Sequence, residues 1–180
     1  MPVGSVISGV RWRLGGGNAS WPASTATWAD YEITLAQAAN PIELMSFTFA
    51  DNMLNPVMVR DGALSFAANS FGGGMTPNPW GPLVQFQSSY TYAGGDLVLL
   101  FRHTGSDLTN TSFLDAIQRS AVNGYNAVAS TSFGLPSGGI SAFPITQLEY
   151  SVPSSVPESA AVSTFAGALG LAAFLRLRRR

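Results

Sequence analysis

Between residues 6 and 152, apolar and polar residues alternate with a period of two in short runs. Glycine, proline and asparagine break the runs at close intervals. This pattern limits the chain to one class of structure. Alternating side chains point to opposite faces of an extended strand, and Gly/Pro/Asn clusters end such strands in turns. Val6, Val10, Trp12 and Leu14 are expected on one face of a first strand, with Arg11 and Arg13 on the other. Gly15-Gly16-Gly17-Asn18 should close it. A second strand is expected over residues 25–35, with Tyr31, Ile33 and Leu35 facing one way and Asp30, Glu32 and Thr34 the other. Residues 36–44 allow a helical turn, limited by Asn40-Pro41. Phe47 and Phe49 alternate with polar residues as in a short strand.

Two hairpins are expected. Residues 57–60 and 64–66 flank Asp61-Gly62, the type of dipeptide that a two-residue hairpin loop prefers. Residues 83–92 and 97–103 flank Gly94-Gly95-Asp96. Leu97-Val98-Leu99-Leu100-Phe101 is apolar at every position, which predicts a central strand covered on both faces. Residues 69–82, rich in glycine and proline, read as a loop, and so does the polar segment 104–111. Residues 113–117, 125–131 and 145–152 complete the strand set, with 134–139 separating the last two. Many short strands and little helix predict an all-β fold: a single antiparallel β-sandwich or jelly-roll-like domain over residues 1–150.

Composition narrows the function. The chain of 180 residues has no cysteine, which excludes disulfides and thiolate metal sites. Only 11% of residues are charged, and every base other than His103 is an arginine. Five arginines face nine acids over residues 1–157, a net charge of 5 − 9 = −4. An acidic, lysine-free body argues against nucleic acid as a partner. The glycine runs lack the strand-to-helix context of a phosphate or dinucleotide loop. These features predict no cofactor.

The chemistry-bearing residues are sparse. His103 is the sole histidine, at a strand end and without a Ser-His-Asp spacing or a second metal ligand nearby. It reads as structural, with a hydrolase base as the alternative. Asp107 with Asn110 could ligate calcium but is expected to cap its loop. The remaining acids are dispersed. Trp80 and Phe71 lie in the glycine-proline loop, and Trp21 and Trp28 near the first turn. Aromatics exposed on such a loop could stack on sugar rings, so Trp80 and Phe71 are the candidate ligand-binding residues. No catalytic or metal residue is assigned.

The last segment differs from the rest. Residues 151–159 form a Ser/Pro linker containing Val156-Pro157-Glu158. The apolar run Ala160–Leu175 follows, and then Arg176, Arg178, Arg179 and Arg180. The run falls short of the roughly 20 apolar residues of a full membrane span. Its terminal arginines favour the cytoplasmic side. Motif, apolar helix and basic cluster in this order resemble the PEP-CTERM sorting signal of bacterial surface proteins. Ser159 stands where that signal usually has a second proline. Ser8-Gly9-Val10-Arg11-Trp12-Arg13-Leu14, Val59-Arg60-Asp61-Gly62, Asn78-Pro79-Trp80-Gly81-Pro82 and Arg102-His103-Thr104-Gly105 look like segments of uncharacterised PEP-CTERM proteins of environmental Gram-negative bacteria. The resemblance implies a membrane processing enzyme of the exosortase type as partner, inner-membrane association before processing, and release to the cell surface or an exopolysaccharide matrix. It implies no catalytic site in this chain. Met1-Pro2-Val3-Gly4-Ser5 has neither a basic nor an apolar region of the kind that opens a secretion signal, so the reading frame is expected to begin further upstream.

Overall fold

The structure is a computed structural model and describes residues 1–109, 112–118, 120 and 124–153. The described residues are built almost entirely of β-strands and loops, and every strand pairing among them is antiparallel. The first sheet is formed by β1 (Val6–Arg11), β6 (Val84–Thr91) and β12 (Gln147–Ser151), in the order β12-β1-β6. The second has the order β4-β3-β7, from β3 (Tyr31–Ala38), β4 (Met53–Arg60) and β7 (Leu97–His103). Three two-stranded pairs complete the set. β2 (Ala26–Trp28) joins β5 (Leu64–Phe66), β8 (Ala116–Ile117) joins β11 (Phe143–Pro144), and β9 (Val128–Ala129) joins β10 (Gly139–Ile140).

The core follows from the alternation. In β3, Tyr31, Ile33 and Leu35 are buried while Glu32 and Thr34 remain half-exposed. In β6, Val84, Phe86 and Tyr90 turn inward and Gln85, Gln87 and Thr91 outward. These side chains join Ile7, Val10, Trp12 and Val59 in one cluster shared by both three-stranded sheets. Burying a side chain of this size stabilises the fold by roughly 1.5–3 kcal/mol. Aromatic edges knit the cluster. The rings of Trp12 and Phe101 meet edge to face at 5.1 Å, those of Trp28 and Phe66 at 5.6 Å, and those of Phe66 and Phe71 at 4.9 Å. Each such pair adds about 0.5–1.5 kcal/mol beyond area burial.

Several expectations need correction. The face assigned to Val6 belongs to Ile7, which is fully buried. The register of β1 shifts between Ile7 and Gly9 against both neighbours, and this irregularity breaks the simple alternation. The strand expected over 25–35 is two strands, and β3 continues to Ala38 where a helical turn was allowed. Only Ile42–Leu44 forms a short 3₁₀ turn there. Phe47 and Phe49 form no strand. Thr48 makes a single bridge to Ser137, and Phe49 leads into a 3₁₀ turn at Ala50–Asn52.

Neither expected hairpin forms. β4 pairs with β3 and β5 with β2, so Asp61-Gly62 carries the chain from one pair to another. Gly62 alone takes a positive φ, 87°, whereas a type I′ turn needs it at both central residues. The sequence around Gly94-Gly95-Asp96 likewise crosses between sheets, because β6 pairs with β1 and β7 with β3. Strand β7 is an edge strand among the described strands, and its apolar residues are half-buried rather than covered on both faces. Gly139, assigned to a separating loop, begins β10. Residues 154–180, with the linker motif, the apolar run and the arginines, lie outside the described residues.

Candidate functional site

The loop of residues 69–82 is tied down at its turn. Asn78 is buried at 2% exposure. Its Nδ2 donates to the carbonyls of Leu14 (3.2 Å) and Gly15 (2.8 Å), and its Oδ1 accepts the N–H of Met75 (2.8 Å). Gly81 N–H donates to the Trp12 carbonyl at 2.7 Å, and Arg11 Nη1 donates to the Gly81 carbonyl at 3.2 Å. Gly81 has to be glycine for steric reasons. A β-carbon there would overlap the Phe71 ring and approach the Trp12 carbonyl oxygen to 3.0 Å. The two candidate ligand residues therefore part company. Phe71 is buried at 2% exposure, bridged to Trp21 and packed on Phe66, so it holds the loop from beneath and presents no surface. Trp80 is 37% exposed. The Arg13 guanidinium stands 5.0 Å from its ring centre, and Arg13 Nε is held by Asp115 Oδ2 at 2.6 Å. An indole backed by a fixed cation can offer a ring face to a stacking partner.

His103 ends β7 with its ring stacked on Tyr31, at 5.3 Å between centres and 16° between planes. It also lies edge-on to Trp28 at 6.4 Å. Its Nδ1 accepts the N–H of Gly105 at 3.2 Å. Partial burial lowers its pKa below the ordinary 6.5. Burial also pushes the Tyr31 phenol well above its usual range, opposed by the charge of Arg60. These contacts are those of a packing residue. Asp107 latches a loop: its Oδ1 accepts the Thr27 N–H at 2.8 Å, and its own N–H donates to the Thr27 carbonyl at 2.9 Å. Asn110, its suggested partner, lies outside the described residues.

The fold gathers what the sequence scatters. Asp30, Glu32 and Asp61 bring carboxylate oxygens within 4.8 Å of one another. Oxygen ligands in such a set suit a hard divalent cation. Arg102 already answers part of this charge, with Nη1 3.5 Å from Glu32 Oε2.

A concavity lies along β7. Every residue from Asp96 to His103 contributes to its wall. Across from them stand residues of the 124–135 and 141–148 segments, with Ile42, Met45 and Phe49 closing one side. Its volume is about 660 Å³, within the roughly 300–1,000 Å³ range of small-molecule sites. The sequence signal for it was the strand apolar at every position. The missing piece was that a cavity, rather than a packed layer, meets its second face.

Among the described residues, no helix is long and apolar enough to cross a membrane. No protein family, curated protein or solved structure matches this chain.

Proposed function

We propose that the chain is an exported, non-catalytic protein of the cell surface or exopolysaccharide matrix. In this reading its body is a single β-sandwich of jelly-roll-like type, and its last segment is a PEP-CTERM-like sorting signal. The observation that carries the reading is the order Val156-Pro157-Glu158, apolar Ala160–Leu175, and then Arg176, Arg178, Arg179 and Arg180. A membrane enzyme of the exosortase type is the partner that would read it. The arginines keep their end on the cytoplasmic side while the apolar run enters the bilayer. A cysteine-free, weakly charged, all-β body suits a life outside the cytoplasm. The two three-stranded sheets that share one core support the sandwich assignment.

The test is the intact mass and location of the protein, expressed in its native host from its own gene. The expected result is loss of the mass beyond the 156–158 region, with the protein outside the inner membrane. A full-length chain retained in the inner membrane would reduce the tail to an anchor and withdraw the surface reading.

A second reading rests on Trp80. Its exposure beside Arg13 fits a lectin-like surface that stacks on sugar rings. Glycan binding that survives Trp80→Ala would exclude that surface as the site. A hydrolase built on His103 draws less support, because the ring is engaged by Tyr31 and Gly105.

A further inference from the structure

We propose that the cavity along β7 is a binding site for a single extended hydrocarbon chain, such as a fatty acyl or fatty alcohol chain, held by apolar contact. The wall is the first argument. Leu97 to Phe101 all border the cavity and are only half-buried, Leu97, Leu99 and Phe101 also packing on the core, and Phe143 and Leu148 line the same space. The lining is mainly apolar, which favours an apolar guest over ordered water.

Several polar side chains on the rim are the second argument, because they are already committed. The Asn52 amide accepts the Ser46 N–H and donates to the carbonyls of Ser46 and Thr48. Asn126 Nδ2 donates to the Ile42 carbonyl at 2.9 Å. Thr146 Oγ1 accepts the Trp12 indole N–H at 3.0 Å and donates to the Pro144 carbonyl. The guanidinium of Arg102 lies over the Phe133 ring, donates to the Phe133 carbonyl at 2.8 Å and 3.2 Å, and pairs with Glu32. A sugar, with many hydroxyls to satisfy, would find these partners taken.

Shape is the third argument. The cavity follows β7 over seven residues, or about 20 Å at ~3.3 Å per step. A site of that length suits an extended chain. Asp96 and His103 mark its two ends, where a head group would meet water.

The experiment uses the full chain and the fluorescent fatty acid cis-parinaric acid. The expected result is saturable binding of one probe per chain, displaced equally well by palmitate and by uncharged hexadecanol. Val98→Trp, which narrows the cavity, should weaken binding about tenfold or more. Phe113→Ser, at an exposed site outside the wall, should leave it unchanged. Absence of saturable binding, displacement by palmitate alone, or full binding by a folded Val98→Trp protein would each overturn the proposal. If Val98→Trp does not fold, the unchanged protein decides: hexadecanol should raise its thermal midpoint by several degrees, and no rise counts against the site. Probe binding that emerges only when Leu169 and Leu171 are both changed to glutamate would assign the cavity to the chain's own apolar run and overturn it as well.

Discussion

Replacing Asn78 with alanine tests what positions Trp80. The side chain is 2% exposed and makes three hydrogen bonds, two to the carbonyls of Leu14 and Gly15 and one from the N–H of Met75. Alanine removes all three. Gly15 keeps an acceptor role toward the Asn18 N–H at 3.3 Å, while the Met75 N–H and the Leu14 carbonyl lose the amide that served them. At a net ~0.5–1.5 kcal/mol per bond, with more where a buried group is stranded, the loss sums to about 3 kcal/mol. For a domain of this size, each kcal/mol moves the midpoint by roughly 2–4 °C, so Tm should fall by about 6–12 °C. The assay is thermal unfolding followed by far-UV circular dichroism, with urea unfolding as a second measure. The control is Gln87→Ala. Gln87 also bonds the backbone, accepting the Asp61 N–H and donating to the Asp61 carbonyl, both at 2.8 Å, but it is exposed. Water replaces those bonds, and the expected loss is below about 1 kcal/mol. If Asn78→Ala costs no more than Gln87→Ala, burial is not what makes the Asn78 bonds matter, and the account of the loop fails.

Three further outcomes follow from the packing. Gly81→Ala should destabilise by about 1–3 kcal/mol, because its β-carbon collides with Phe71 beneath the loop; an unchanged urea midpoint would refute the close approach. His103 has a folded-state pKa below its ordinary 6.5, so its unfolded form binds the proton more readily. Stability should therefore be full above that pH and fall as the pH drops through 6.5. His103→Phe, which retains a ring against Tyr31, should flatten this acid limb between about pH 7 and 5, and an unaltered limb would mean that another group titrates there. On the lectin-like reading, Trp80→Ala should abolish polysaccharide retention while leaving the unfolding midpoint within about 1 kcal/mol of the parent, since Trp80 is substantially exposed.

The class of fold was legible because alternation is a local property. Tyr31, Ile33 and Leu35 declare an inward face, and Val84, Phe86 and Tyr90 repeat the pattern. Partnership between strands is not local. Asp61-Gly62 and Gly94-Gly95-Asp96 have the composition of hairpin loops, yet each connects strands that pair elsewhere. A turn sequence states that the chain reverses and leaves open which strand lies beside it. The candidate sites divide in the same way. Trp80 was suggested by its glycine-proline loop, whereas the burial of Phe71 depends on Trp21 and Phe66, distant in sequence. The grouping of Asp30, Glu32 and Asp61 also needed the fold, because Asp61 follows the last residue of another strand, β4.

The central position of β1 in its sheet sets the order in which this protein can mature. Its two neighbours are β6 and β12, and the hydrogen bond from Ser8 Oγ to the Glu149 carbonyl spans 141 positions. At ~5–20 residues per second of synthesis, the last strand follows the first by about 7–30 s. Until then β1 has one side open, and the part of the core contributed by Ile7, Val10 and Trp12 is incompletely closed. A chain with so many distant partners folds late and slowly. On the export reading proposed above, such a chain is threaded through a translocation pore while unpaired, and it locks only when residues 147–151 arrive on the far side.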